Sequence, residues 1–271
     1  MSSPTLEFSR VTLIFDDVVA LENISFRVNT GSSLVIFGVA GSGKSVLLKL
    51  SLGLLKPDAG EIYLFGERID TLREQELAPL RQQVGMVFQE SALFDSFTVA
   101  ENVAYPLVNQ ETKTPPLEEV EARAREALCF VELEPAFDKL PSELSGGMRR
   151  RVAIARAIVN QPRLLLYDSP TAGLDPITAH TIMTLILKER DTANVTSLVV
   201  THRLQNGYLL ANFRYDPAGG NLIPAHRDGA SPNTETRFLI LNKGRLVFEG
   251  DQEELNRQQD PYVRKFVMRH G

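Results

Sequence analysis

The chain's 271 residues are enough for a sizeable core in one large domain or two small ones, and 43% hydrophobic with 23% charged residues is the composition of an ordinary globular protein. A net charge of −5 gives no overall basic excess to attract nucleic acid, and a single cysteine, Cys129, excludes an intrachain disulfide and a cysteine-rich zinc cluster, leaving it the expected role of a small buried apolar residue on a helix. No apolar run approaches the roughly 18 to 20 residues that span a bilayer, and residues 1–10 lack the basic-then-apolar pattern of a leader, so the expectation is a cytoplasmic chain that reaches a membrane only through a partner.

Residues 5–30 read as two β segments around a turn at Asp16-Asp17. Leu6, Phe8 and residues 11–15 form the first, and residues 20–28 the second, alternating through Ile24, Phe26 and Val28. Phe15 offers an aromatic face that could cover a base; taken alone it is equally a strand-end core residue. Gly31 leads into residues 34–37, Leu-Val-Ile-Phe, a short apolar run suited to a buried parallel strand. Then come Gly38, Val39, Ala40, Gly41, Ser42, Gly43, Lys44 and Ser45, which spell G-x-x-x-x-G-K-S, and residues 46–50, suited to the first turns of a helix. Strand, glycine loop and helix in that order is the context in which this motif binds phosphate. Glycines let successive N–H groups turn inward around phosphate oxygens, and the helix N-terminus adds partial positive charge. The Lys44 ammonium can reach β- and γ-phosphates, and the Ser45 hydroxyl can ligate Mg²⁺. The alternative, a Gly/Ser turn that happens to precede a lysine, has the flanking strand and helix against it.

The helix over 46–55 ends at Gly53 and Lys56-Pro57-Asp58. Residues 60–69 look like a strand pair turning at Gly66-Glu67, and 74–81 like a short polar helix or turn. Residues 84–88 are a second buried-strand candidate, stopping at Gln89, a polar side chain where open α/β sheets place ligands; alone it is as well read as a strand-capping glutamine. Residues 96–158 read as mostly helical. Thr98 caps a helix over 99–105, residues 112–116 form a loop, and 117–130 has helical spacing through Val120, Ala124, Ala127 and Leu128, continuing to Val131. Ser145, Gly146 and Gly147 open a helix over 148–159, which makes either a second anion site or a plain capped start. The arginines within it, Arg149, Arg150, Arg151 and Arg156, are expected on a solvated face.

Residues 164–168 are a third buried-strand candidate, ending in Asp168. With the glycine loop this is the Walker-B arrangement, in which the carboxylate holds Mg²⁺ directly or through water. Gly173, Leu174, Asp175 and Pro176 turn into a helix over 177–190, and a fourth strand, 197–201, ends at His202. From 204 to 235 the pattern weakens, and 216–233, rich in Pro, Gly, Asn and Asp, reads as a long loop or insertion. Strands resume at 237–241 and 245–248. Residues 251–270 look like two short helices broken at Asp260-Pro261; the face Tyr262, Val263, Phe266 and Val267 packs either on the chain's own body or on a neighbouring subunit.

Together these motifs resemble the ATP-binding subunits of ABC transporters across nearly the whole length. Residues 144–148, Leu-Ser-Gly-Gly-Met, resemble the family's signature, with Met148 where Gln is more usual, and the order of glycine loop, Gln89, signature, Asp168, Asp175 and His202 is the family's order. Residues 88–94, 101–107 and 260–266, and the Met form of the signature followed by arginines, are similar to the Mla/Mce-type lipid-transport ATPases. The resemblance implies an α/β fold: a P-loop NTPase (RecA-like) core with an antiparallel β subdomain and an inserted α-helical subdomain. It implies an ABC ATP-binding domain over 5–250, with the helical subdomain at about 92–158 and an insertion at about 205–236, then a C-terminal helical extension over 251–271. It implies ATP and Mg²⁺, with Ser45, Gln89 and Asp168 at the metal, Phe15 stacked on adenine and Gly38 to Ser45 around the phosphates. Gln89 would couple metal and attacking water to the helical subdomain, and His202 would contact the γ-phosphate. Ser145, Gly146 and Gly147 would contact the γ-phosphate of ATP held by a second copy, with Asp175 organising the seam. The implied partners are that second copy, a membrane permease whose coupling helix docks on the helical subdomain, and lipid-binding and small regulatory subunits.

One position departs from the family. After the Walker-B aspartate the family usually has Glu, which polarises the attacking water; here it is Ser169. General-base assistance is worth roughly 10²–10⁴-fold, so binding is expected to survive and hydrolysis to be slow. Glu90 is not a substitute, because strand alternation points it elsewhere. Two rival readings stand beside a transport ATPase: an ATP-gated regulatory subunit with negligible turnover, and a soluble ABC ATPase acting on DNA or ribosomes, although the long coiled-coil insertions or paired domains usual in the latter are not present.

Overall fold

The computed structural model describes residues 4–110, 115–225 and 235–270. Strands β1 (Leu6–Phe15) and β2 (Val18–Val28) form a hairpin, and β3 (Ser33–Phe37) runs into helix α1 (Lys44–Ser51). Strands β4 (Ala59–Leu64) and β5 (Glu67–Arg68), helix α2 (Glu74–Arg81) and strand β6 (Val84–Val87) follow. Helices α3 (Val99–Val108), α4 (Leu117–Phe130) and α5 (Gly146–Ile158) precede β7 (Leu164–Asp168), α6 (Pro176–Ala193) and β8 (Thr196–Thr201). The rest is α7 (Leu204–Asn212), a hairpin of β9 (Phe213–Asp216) and β10 (Asn221–Pro224), strands β11 (Thr236–Asn242) and β12 (Arg245–Gly250), and helices α8 (Gln252–Arg257) and α9 (Pro261–His270).

The apolar runs become one sheet because only a sheet covered on both faces can use them. Its order is β12-β11-β3-β8-β7-β6, with β12 antiparallel and the other five parallel. Alternate residues enter two cores. Val35, Phe37, Leu165, Tyr167 and Val199 pack with α3 to α7 and α9, whereas Leu34, Ile36, Leu164, Leu166, Leu198 and Val200 pack with α1, α2 and the antiparallel sheet β2-β1-β4-β5. Each such side chain contributes roughly 1.5–3 kcal/mol. This is the P-loop NTPase fold of mixed sheets and helices that the resemblance implied. Helix α3 starts where Thr98 caps it: Thr98 Oγ1 accepts from Glu101 N at 3.1 Å and Glu101 accepts from Thr98 N at 2.6 Å.

Three expectations meet the structure differently, and a fourth, left open for the last helix, is decided. Cys129 is exposed, because its neighbour Leu128 takes the inward position on α4. The arginines of α5 are a solvated face only at Arg149, which is exposed: Arg150 is 5% exposed, Arg151 and Arg156 are half-buried, and all four donate to main-chain carbonyls. The stretch read as a long loop from residue 216 begins inside a structured insertion. There α7 lies so close to the sheet that a Cβ on Gly207 would sit 2.5 Å from Phe37 Cζ. From α6, Arg190 donates to Leu210 O and Phe213 O, and Asp191 accepts from Tyr215 N at 2.7 Å, which pins the β9–β10 hairpin. The remainder of that stretch, 226–234, and residues 111–114 of the loop expected over 112–116 lie outside the described residues. On α9 the apolar face meets the chain's own body, with Val263 and Phe266 buried and the Phe266 ring 5.9 Å from that of Phe37.

Glu189 on α6 is buried beside Lys188, with no hydrogen bond to its carboxyl among the described residues, and burial raises its pKa from 4.5 to about 7. A raised folded-state pKa favours the neutral acid, so this contribution is fully present below the unfolded pKa of 4.5 and is lost as pH climbs through about 7. Glu189→Gln is therefore expected to stabilise the fold at pH 8 by up to about 3 kcal/mol in denaturant unfolding, with the gain shrinking toward zero as pH falls to 4.5.

Candidate functional site

The parallel register sets one edge of the sheet. Phe37 pairs with Thr201, and Asp168 with Val200, so the residues that follow β3, β7 and β8 emerge side by side; β6, next to β7, delivers Gln89 to the same edge. Open α/β sheets bind ligands at these carboxyl ends. The loop 38–43 leaves β3 here and opens α1 through Gly43, whose φ of 105° is a conformation side-chain-bearing residues rarely adopt. A Cβ on Gly43 would also lie 2.8 Å from Leu21 Cδ2 and 3.0 Å from Ala20 O, so the β1–β2 hairpin presses against the loop. Gly43 brings no side chain to cap the helix, and the first-turn N–H groups of α1 stay available as donors.

Lys44 Nζ donates to Gly38 O and Val39 O, both at 2.8 Å, which holds the ammonium over the loop. Burial lowers its pKa, and the Asp168 charge opposes that shift. A partly buried ammonium bonded, among the described residues, to neutral carbonyls and one hydroxyl, next to uncapped amides, fits a polyphosphate. Ser45 Oγ donates to Asp168 Oδ2 at 2.8 Å, bringing together residues 123 apart in sequence. A hydroxyl and a carboxylate are hard oxygen donors suited to Mg²⁺, which is commonly held by one or two protein groups plus substrate phosphates. No cluster of three or more His, Cys, Asp or Glu that could hold a metal ion occurs among the described residues.

Around this centre, Phe15 is 44% exposed on the hairpin rim, Gln89 and His202 are exposed at their strand ends, and Ser169 is buried with φ of 47° and its N–H donated to Val200 O at 2.9 Å. A second cluster forms where α5 and α6 begin. Ser145 caps α5 by accepting from Met148 N at 3.2 Å, and Asp175 caps α6 by accepting from Ile177 N and Thr178 N, each at 3.0 Å. The Thr178 hydrogen bonds hold the Asp175 carboxyl below its usual range. Gly147 touches α6, since its Cβ would lie 2.5 Å from Thr178 Cγ2, while the space over Gly146 is open. Among the described residues no hydrogen bond joins Ser145, Gly146, Gly147 or Asp175 to the loop 38–45.

Sequence reading missed two groups. Arg150 bonds Phe88 O at 2.7 Å, and the only advance sign was its i, i+4 spacing to the buried Ile154. Asn206 donates to Thr171 Oγ1 at 2.7 Å and Thr201 Oγ1 at 3.4 Å, tying the turns after β7 and β8 together, and nothing local in sequence marked it.

The model of the ABC transporter family matches residues 21–172. The chain is 34% identical over 269 residues to the intermembrane phospholipid transport system ATP-binding protein MlaF of Haemophilus influenzae, covering 98% of this chain and 91% of that protein. It is 40% identical over 188 residues to the methionine import ATP-binding protein MetN of Carboxydothermus hydrogenoformans, covering 69% of this chain but only 55% of that relative's length. A dimeric ATP-binding cassette in a post-hydrolysis state, bound to ADP and phosphate, superposes with a TM-score of 0.75 at 31% identity, covering 91% of this chain and 98% of that one.

Because the ammonium and the carboxylate act on different partners, their losses separate. Lys44→Ala is expected to weaken nucleoside triphosphate binding by about 10- to 100-fold with or without Mg²⁺, whereas Asp168→Asn should weaken it by that factor only when Mg²⁺ is present. Calorimetric titration in magnesium and in chelator checks both.

Proposed function

The chain belongs to the ABC transporter family as an ATP-binding, ATP-hydrolysing subunit, and from that premise we propose that it powers movement of phospholipid or another lipid through a membrane permease. The observation that carries the lipid reading is the extent of one likeness. The phospholipid-transport relative aligns over 98% of this chain and 91% of its own length, while two methionine-import relatives align over 69% and 89% of this chain and 55% and 65% of theirs. The permease reading is supported by a groove of about 470 Å³ beside Gln89, lined by Phe88, Ala92, Phe94, Tyr105 and Arg156 among others, whose apolar wall suits a short helix from a partner. No helix among the described residues is long and apolar enough to cross a membrane, so a membrane path would be the partner's.

ABC cassettes form dimers, as the superposed neighbour does. In this reading Phe15 covers adenine, the 38–43 amides and Lys44 hold the phosphates, and Ser45 and Asp168 orient the metal with Gln89. When bound, Mg²⁺ neutralises charge on the β- and γ-phosphates. Ser145, Gly146 and Gly147 of one copy face the γ-phosphate held by the other, a reading supported by the lack, among the described residues, of any hydrogen bond joining that cluster to the loop of its own chain. Closure of two copies over two ATP molecules then moves the groove and whatever sits in it. Ser169 supplies no carboxylate to polarise water, so hydrolysis is slow, ATP holds the dimer closed for longer and turnover is slow. The same residue favours the second reading, an ATP-gated regulatory subunit whose output is the closed dimer.

Co-purification from membranes tests the transport reading: a bound permease carrying lipid is expected, and a permease carrying methionine or no permease at all would end it. Ser169→Glu is expected to raise steady-state ATP turnover by about a hundredfold or more. Equal rates would show that this position does not limit the chemistry, and a wild-type dimer that traps ATP without a second turnover would favour the regulatory reading.

A further inference from the structure

Three carbonyls around Gln89 are held by one helix. Arg150 Nη1 donates to Phe88 O at 2.7 Å, and its Nη2 reaches Ala172 O at 3.5 Å. Two turns along α5, Arg156 Nη1 donates to Ala92 O and Nη2 to Ser91 O, both at 2.8 Å. Ser91 and Ala92 have φ of 67° and 48°, successive left-handed residues that are not glycine, a backbone that persists only where its surroundings over-determine it. Arg150 is 5% exposed, its Nε is buried without an acceptor among the described residues, and burial lowers its pKa against the opposing charges of Asp168 and Glu90. An unfilled buried donor costs free energy, so packing alone is a poor account of an arginine here.

Ala172 lies between Ser169 and Asp175, and α5 begins at the Ser145 cap. One guanidinium therefore stands where the signature helix, the Gln89 turn and the turn from Asp168 to Asp175 meet. The acceptors are main-chain oxygens, so the hold acts on loop position whatever the side chains between them. Gln89 makes no hydrogen bond of its own among the described residues; β6 delivers it to the sheet edge, and these bonds on either side hold the turn there. We propose that Arg150, backed by Arg156, is a positioning residue that locks the Gln89 turn to the signature helix, so that Gln89 reaches the metal only as that helix takes its place. The inference rests on the ATP-binding reading above and goes beyond it by assigning the residue that carries the coupling.

The test uses the full chain with ATP and Mg²⁺ and needs neither permease nor lipid, so failure of the transport reading leaves its outcome intact. Three quantities are read: ATP affinity in chelator, the Mg²⁺ concentration giving half-maximal ATP-driven dimerisation, and the thermal midpoint. For Arg150→Gln the expected result is ATP affinity in chelator within about twofold of wild type and a Mg²⁺ requirement raised about tenfold, the size of one lost charge-assisted hydrogen bond. Arg150→Lys keeps the charge but loses the two-pronged donor, and should raise the requirement by about threefold; it carries the test if Arg150→Gln does not fold. Arg123→Gln, on the exposed face of α4, should match wild type. An unchanged Mg²⁺ requirement in both Arg150 variants would overturn the proposal. So would a rise in that requirement accompanied by an equal loss of chelator-state affinity and a fall in thermal midpoint, which is what a packing role gives. A wild-type chain that takes up no ATP would bring down the underlying reading and this inference with it.

Discussion

Everything at the site depends on the register of three parallel strands. Pairing of Phe37 with Thr201 and of Asp168 with Val200 sets the loop 38–43, Ser169 and His202 next to one another. A slip of one residue would turn Leu164, Leu166 and Val200 toward the wrong core and take Asp168 away from Ser45. Burial on both faces is what forbids the slip, since each strand has two sets of side chains to satisfy. The Ser45–Asp168 hydrogen bond is thus a product of the core, not an independent contact.

Onto that frame the protein places charge sparingly. The loop proposed to hold phosphate offers main-chain amides and one ammonium, partly buried so that its attraction for an anion is less screened than at an open surface. Elsewhere buried or half-buried guanidiniums bind carbonyls: Arg150 and Arg156 at the 88–92 segment, Arg151 at Val131 O and Arg190 at the inserted hairpin. A hydrogen bond to a charged donor is worth about 1.5–3 kcal/mol and needs no particular side chain opposite, so these arginines fasten loops to helices without a matching carboxylate. Asp191, paired with Arg190, is the exception, and it too spends an oxygen on a main-chain N–H.

Ser169 separates two capacities that the family usually combines. Its left-handed backbone and the hydrogen bond to Val200 keep the turn after Asp168 in shape, so the groups proposed to grip nucleotide are in place. A neutral hydroxyl at that point offers water no proton acceptor of useful strength near neutral pH. In the proposed reading the arrangement is complete as a clasp and poor as a base, and a long-lived closed dimer is what that reading expects from one side chain.

What the sequence determined by itself is what short-range pattern can carry. Apolar runs of four to six residues between turn residues marked β3, β6, β7 and β8, the glycine spacing marked the phosphate loop, and the 3.6-residue period marked α4. Each is legible because strand pleat, helix period and turn chemistry are set by residues within one element. The tertiary structure decided which side of an element faces in. Arg150 reads as solvent-facing among three arginines, yet lies inward because the 88–92 segment crosses that side of α5. Cys129 turns outward, α9 settles on α7 and Phe37, and the β9–β10 hairpin exists because Arg190 and Asp191 reach it from a distant helix. Those outcomes depend on surfaces that meet only after the chain has folded, and no local spacing encodes them.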